Sequence, residues 1–145
     1  MPAHRPNFFY HLHPPTIPQR EGSFRYTFGL GGISVLLLLV LAATGLLLTF
    51  FYVPTPDRAA ASIQIITYQV PFGWLVRNLH YWAAQWMVIV VALHLLRVIF
   101  TGAYKLPRRT NYVIGLALLV GQLLLTFRGY VLRWDEGTPW ALVVG

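Results

Sequence analysis

From Phe28 to Val53 the chain has no charged residue and reads FGLGGISVLLLLVLAATGLLLTFFYV. As an α-helix this run is about 39 Å long, more than the roughly 30 Å of a bilayer's hydrocarbon core. Inside lipid a single segment satisfies its own backbone only as a helix. Pro54 and Pro56 then stop it, because each lacks an N–H and disfavours helical geometry in the residue before it. A second apolar segment spans residues 74–101 and is uncharged from Asn78 to Leu96. A third spans 111–132 and is interrupted near its end by Arg128. Between the first two, Ala59 to Val70 predicts a short helix on the membrane surface, ended by Pro71 and Gly73. Only 10% of residues are charged and 57% are hydrophobic, whereas soluble domains carry about 25% charge. The predicted fold class is an all-α membrane protein.

The predicted organisation is an N-terminal surface segment (1–27), a first span (28–53), a loop with the short surface helix (54–73), a second span (74–101), a second loop (102–110), a third span (111–132) and a tail (133–145). Basic residues in short loops set the direction of such spans. Arg5, Arg20 and Arg25 precede the first span, and Lys105, Arg108 and Arg109 follow the second. The first loop has Arg58 offset by Asp57, and the tail has Arg133 with Asp135 and Glu136. The N-terminus and second loop are therefore expected on the cytoplasmic side, with the first loop and the C-terminus outside. The first apolar run starts too late and is too long for a cleaved signal peptide. Phe8 to Leu12, ahead of Pro14 and Pro15, reads as a surface-lying anchor. The net charge of +7 is scattered, without the basic stripe that nucleic-acid binding requires. There are no cysteines, which excludes disulfides, iron–sulfur clusters, thiolate metal sites and thioether-tethered haem. Redox chemistry in this chain falls to histidine.

The second span holds His80 and His94, and an ionisable side chain at membrane depth points to function. Fourteen residues of helix make about 3.9 turns, so both imidazoles share one face, about 21 Å apart. One metal ion cannot bridge that distance. Two planar cofactors at two depths can each take one imidazole nitrogen as an axial ligand. Arg77 lies three residues before His80, and Arg97 three residues after His94. Each sits on its histidine's helix face, about 4.5 Å nearer water, where a guanidinium can clamp a haem propionate or anchor to lipid phosphate. The same spacing recurs as Gly31 and Gly45 in the first span and Gly115 and Gly129 in the third. Glycine pairs serve ordinary helix packing in membranes. They also supply the missing side chains that a flat macrocycle needs at two depths, and three spans sharing one spacing favour the latter.

These residues resemble the N-terminal part of cytochrome b, the membrane core of quinol-oxidising cytochrome bc-type complexes. The text that carries the resemblance is Leu30-Gly31-Gly32, Thr44-Gly45 and Phe72-Gly73-Trp74-Leu75-Val76-Arg77-Asn78-Leu79-His80. It continues with His94-Leu95-Leu96-Arg97, Thr101-Gly102-Ala103-Tyr104-Lys105-Leu106-Pro107-Arg108 and Gly129-Tyr130-Val131-Leu132. It covers roughly Phe24 to Ala141, and the Lys-Leu-Pro-Arg loop looks closer to the short, plastid-type form.

The resemblance implies most of a four-helix bundle for two haem b groups. His80 and His94 would be axial ligands of the iron, and Arg77, Arg97, Gly31, Gly45, Gly115 and Gly129 would contact the cofactors. The His80 haem would be the lower-potential one near the outer side, and the His94 haem the higher-potential one near the cytoplasmic side. Phe127 and Tyr130 match positions near the quinol-oxidation pocket. The implied setting is a respiratory or similar energy-transducing membrane, with a bacterial cytoplasmic membrane expected. The implied partners are a Rieske iron–sulfur protein, a cytochrome c or equivalent acceptor, and a second copy of the complex, in contact with membrane lipid. Gly29 stands where short-type relatives carry a cysteine for an extra haem, so no covalently attached haem is expected. Arg133 stands in place of a usual proline, and Arg128 is an unusual charge beside Gly129.

Each haem needs a second imidazole, which the family takes from a fourth span. A split gene, a fragment or another chain would account for its place outside these residues, and the expectation is a partner helix with two histidines 13 or 14 residues apart. Two other readings compete: a haem-b anchor of a dehydrogenase or hydrogenase, and a haem-free or pigment-binding structural subunit. The glycine pairs and the arginine frame disfavour the first, and oxidised and reduced absorption spectra separate the second.

Overall fold

The computed structural model describes residues 28–105 and 108–133, and within them the chain forms four helices. They are α1 (Leu30–Thr49), α2 (Ala59–Tyr68), α3 (Gly73–Phe100) and α4 (Arg109–Val131). Three of them, α1, α3 and α4, are long and apolar enough to cross a membrane. The N-terminal surface segment, with His4, His11 and His13, and the tail beyond Arg133 lie outside the described residues, as do Leu106 and Pro107. Helix α1 closes at Thr49, ahead of Val53, and a turn over Phe50 and Phe51 leads into Pro54. Helix α4 opens at Arg109, slightly before Asn111.

Helices α1 and α3 form the best-packed pair and run antiparallel, since Gly31 meets His94 and Gly45 meets His80. The seam of α3 is a stripe at alternating three- and four-residue steps. His80 and His94 stand at its ends, with Ala83, Met87 and Val90 buried between them. Residues so spaced share one helix face and pack against a single neighbour. The remaining Leu, Val and Ile side chains of α1 are largely exposed, as expected of a surface whose solvent is lipid tails. Helix α4 touches α3 more sparsely and buries none of its residues.

For description, the end holding Thr49, Gly73 and Val131 is the outer end, and the opposite one is the inner end. At the outer end α2 folds back onto the start of α3, burying Ala59, Ser62 and Ile66. The Ser62 hydroxyl donates to the Ala59 carbonyl and accepts from the Val53 N–H, which ties α2 to the exit from α1. Gly73, expected to end the surface helix, is instead the first residue of α3. A Cβ there would lie 2.0 Å from the Ile66 carbonyl oxygen, so only glycine lets the two backbones approach this closely. The preceding Phe72 has φ 59, a left-handed geometry that turns the chain sharply from α2 into α3.

At the inner end α3 closes with a Schellman motif. The Gly102 N–H donates to the Ile99 carbonyl and the Ala103 N–H to the Val98 carbonyl, with Gly102 at φ 65. The Tyr104 and Tyr112 rings, 5.8 Å apart, then pack the turn against the start of α4. Across the bundle, the Tyr52 hydroxyl donates to the Leu132 carbonyl and joins the outer ends of α1 and α4.

Candidate functional site

The chemistry-bearing side chains lie along the α1–α3 seam. At its outer part, a Cβ on Gly45 would stand 3.1 Å from His80 Cε1 and 3.7 Å from Nδ1. At its inner part, a Cβ on Gly31 would stand 3.5 Å from His94 Cε1 and 4.0 Å from Nδ1. Each glycine therefore makes room for an imidazole ring, and in both cases the Nδ1–Cε1 edge faces α1. Besides the expected macrocycle, the two glycines of α1 thus have a neighbour within the protein itself. In α1 the missing side chains are filled by the ligand-type rings themselves.

The His80 ring is held by Thr44, which is only 6% exposed. The Thr44 Oγ1 lies 2.6 Å from the Val40 carbonyl and 2.8 Å from His80 Nδ1. A hydroxyl has one proton, and the shorter contact to a pure acceptor takes it. The oxygen then accepts from an Nδ1–H, which fixes the tautomer and leaves the Nε2 lone pair for a metal. The Leu41 carbonyl faces the same ring. Sequence reasoning registered Thr44 only as part of a motif. Its available signal was a hydroxyl inside an otherwise apolar run, directly before Gly45.

On α4, a Cβ at Gly115 or at Gly129 would meet nothing within 4 Å, so these two glycines border open space. Arg77 and Arg97 are both half-buried on α3, and the Nε of Arg97 is fully buried. Phe127 and Tyr130 lie on the outer part of α4 and are partly exposed, at 43% and 44%. The guanidinium of Arg133 stacks 4.8 Å above the Tyr130 ring, a cation–π contact. Arg128 is exposed on the same part of α4. Among the described residues no group of three or more His, Cys, Asp or Glu forms a shared metal site. The donor chemistry is instead one imidazole at each of two depths, each beside a glycine, with open space beside Gly115 and Gly129 of α4. Those residues fit axial ligation of haem.

A helical membrane bundle with single imidazoles at two depths of one helix fits the class of membrane-embedded b-type cytochromes. The comparisons agree with that class. The family model for cytochrome b/b6/petB matches residues 18–145, and the chain belongs to that family. It is 47% identical over 118 residues to the cytochrome b6 of Heliomicrobium gestii, covering 81% of this chain and 55% of that protein. It is 42% identical over 115 residues to the cytochrome b6 of Synechocystis sp., covering 79% and 52%. Its fold superposes with a TM-score of 0.78 and 26% identity on a chain of a hyperthermophilic respiratory Complex III, covering 86% of this chain and 34% of that one. The chain thus spans about half the length of the curated relatives it matches. Haem b binding and integral membrane location go with the family.

Proposed function

We propose that the chain is the N-terminal, haem-ligating part of a di-haem cytochrome b, and that it moves electrons across the membrane within a quinol:acceptor oxidoreductase. The carrying observation is that His80 and His94, at opposite ends of one buried stripe, each press the same ring edge against a glycine of α1. Two bound haem b groups would supply reversible one-electron chemistry at two depths. His80 and His94 would hold them through Nε2, Arg77 and Arg97 would pair with their propionates, and Gly115 and Gly129 would leave room for them beside α4. A second imidazole pair comes from a further helix, of a partner chain or of a longer polypeptide.

Phe127 and Tyr130 line an outer quinol pocket, and a Rieske-type protein and a cytochrome c or equivalent take the electrons that do not cross. The complex is dimeric and lies in a bacterial cytoplasmic membrane. Its N-terminal side is cytoplasmic. The loop charges support that direction: Asp57 lies 3.8 Å from Arg58 and offsets it in the first loop, whereas Lys105, Arg108 and Arg109 cluster near the second.

The test is His80→Ala and His94→Ala in the complete complex, read by pyridine haemochrome and by reduced-minus-oxidised spectra. Each variant is expected to lose one haem and keep the other. Unchanged haem per complex in both variants refutes the assignment.

A further inference from the structure

The two histidines are supported unequally, and the inequality is encoded in α1. With the helices antiparallel and Gly45 against His80 as Gly31 is against His94, position 44 at the outer site corresponds to position 30 at the inner one. Position 44 is a buried threonine whose oxygen accepts the His80 Nδ1–H. Position 30 is Leu30, whose side chain has no acceptor, and among the described residues the His94 ring makes no corresponding bond. The Thr44 oxygen is also a strengthened acceptor, because its own proton is committed to the Val40 carbonyl at 2.6 Å, and successive hydrogen bonds polarise one another.

Resting on the reading of His80 and His94 as ligands of two haems, we infer that Thr44 holds the potential of the outer haem below that of the inner one. An imidazole whose Nδ1–H is drawn toward an acceptor carries more negative charge on Nε2 and is a more basic ligand. A more basic ligand favours ferric over ferrous iron, so the site gives up its electron more readily. Leu30 gives His94 no such assistance. Fixed charge differs as well: the Arg97 guanidinium acts on His94, and among the described residues no charged group acts in the same way on His80. Arg58 with Asp57, Arg77, Arg128 and Arg133 stand toward the outer end, and Arg97, Lys105, Arg108 and Arg109 toward the inner end. To that difference Thr44 adds a hydrogen-bond acceptor at the outer ligand alone.

Potentiometry of the complete complex in its own membranes, resolving the two haems optically and by electron paramagnetic resonance, tests this. Thr44→Val keeps the side chain's shape and removes the hydroxyl acceptor, leaving the Leu41 carbonyl beside the ring. It raises the outer haem's reduced-to-oxidised ratio roughly tenfold at fixed ambient potential, equal to 59 mV for a one-electron couple, and leaves the inner haem unmoved. Thr44→Ser keeps both potentials, and Leu30→Thr lowers the inner one. A Thr44→Val complex with both potentials unchanged, or with both shifted equally, overturns the inference. If Thr44→Val loses the outer haem altogether, Leu30→Thr decides, and an unmoved inner potential then overturns it. Wild-type membranes whose complex carries no b-type spectrum refute the ligand reading itself, a failure distinct from two haems insensitive to Thr44.

Discussion

Gly31→Ala and Gly45→Ala add the same methyl group at two places that the structure makes unequal. In a helix interior alanine is favoured over glycine by about 1 kcal/mol, a gain that applies in full at Gly45 and less at Gly31 in the first turn of α1. At Gly31 the new Cβ meets His94 Cε1 at 3.5 Å, an ordinary contact, and the gain stands. At Gly45 the new Cβ meets His80 Cε1 at 3.1 Å, and the ring must give way by a few tenths of an ångström. The ring cannot swing freely, because Nδ1 is tied to buried Thr44 at 2.8 Å and Ala83 is buried one turn along the same stripe. Overpacking of this kind costs about 1–3 kcal/mol, which exceeds the helix gain and leaves a net loss of about 1 kcal/mol, roughly a fivefold change in a binding equilibrium. The assay is haem content per complex after graded heating in detergent, with the two haems distinguished by their reduced spectra. Gly45→Ala is expected to shed the outer haem early, while Gly31→Ala retains both haems like wild type. Equal behaviour of the two variants would refute the argument that these glycines serve the imidazole rings through the contacts seen.

Gly73→Ala places a Cβ 2.0 Å from the Ile66 backbone oxygen, so α2 must lift off the start of α3 at a cost of about 3 kcal/mol. Its signature is faster proteolysis in the loop around Asp57 at 25 °C. Gly115→Leu and Gly129→Leu meet no protein atom within 4 Å, so they are expected to leave membrane insertion of the chain intact and to block haem at the inner and outer depths respectively. Normal spectra in both would make these glycines ordinary packing residues. Tyr52→Phe removes the hydroxyl that bonds the Leu132 carbonyl and should cost about 1 kcal/mol. Hydrogen exchange should then rise in the last turn of α4 and not in α1.

What the sequence determined by itself is local in range. Long apolar runs in lipid have one way to satisfy their backbones, so the three long helices are legible from the uncharged Phe28–Val53 and from two further apolar runs with charge only near their ends. Helical periodicity put His80 and His94 on one face whatever packs against it, and an imidazole is costly at membrane depth without a purpose. The tertiary structure decided what each small residue is for. Gly73 looked like the end of one helix and is the start of the next, because its meaning depends on the approach of the Ile66 carbonyl. Gly31 and Gly45 looked equivalent to Gly115 and Gly129 by spacing. The first pair faces rings and the second faces open space, a distinction fixed by the register of α1 on α3 and the looser seat of α4. Thr44 gained its role only when that register brought its oxygen to His80 Nδ1. Period and hydropathy say which face of a helix is inward. Contact at the scale of a hydrogen bond depends on how two helices slide past each other, and that is set by the summed packing of many side chains that no single motif records.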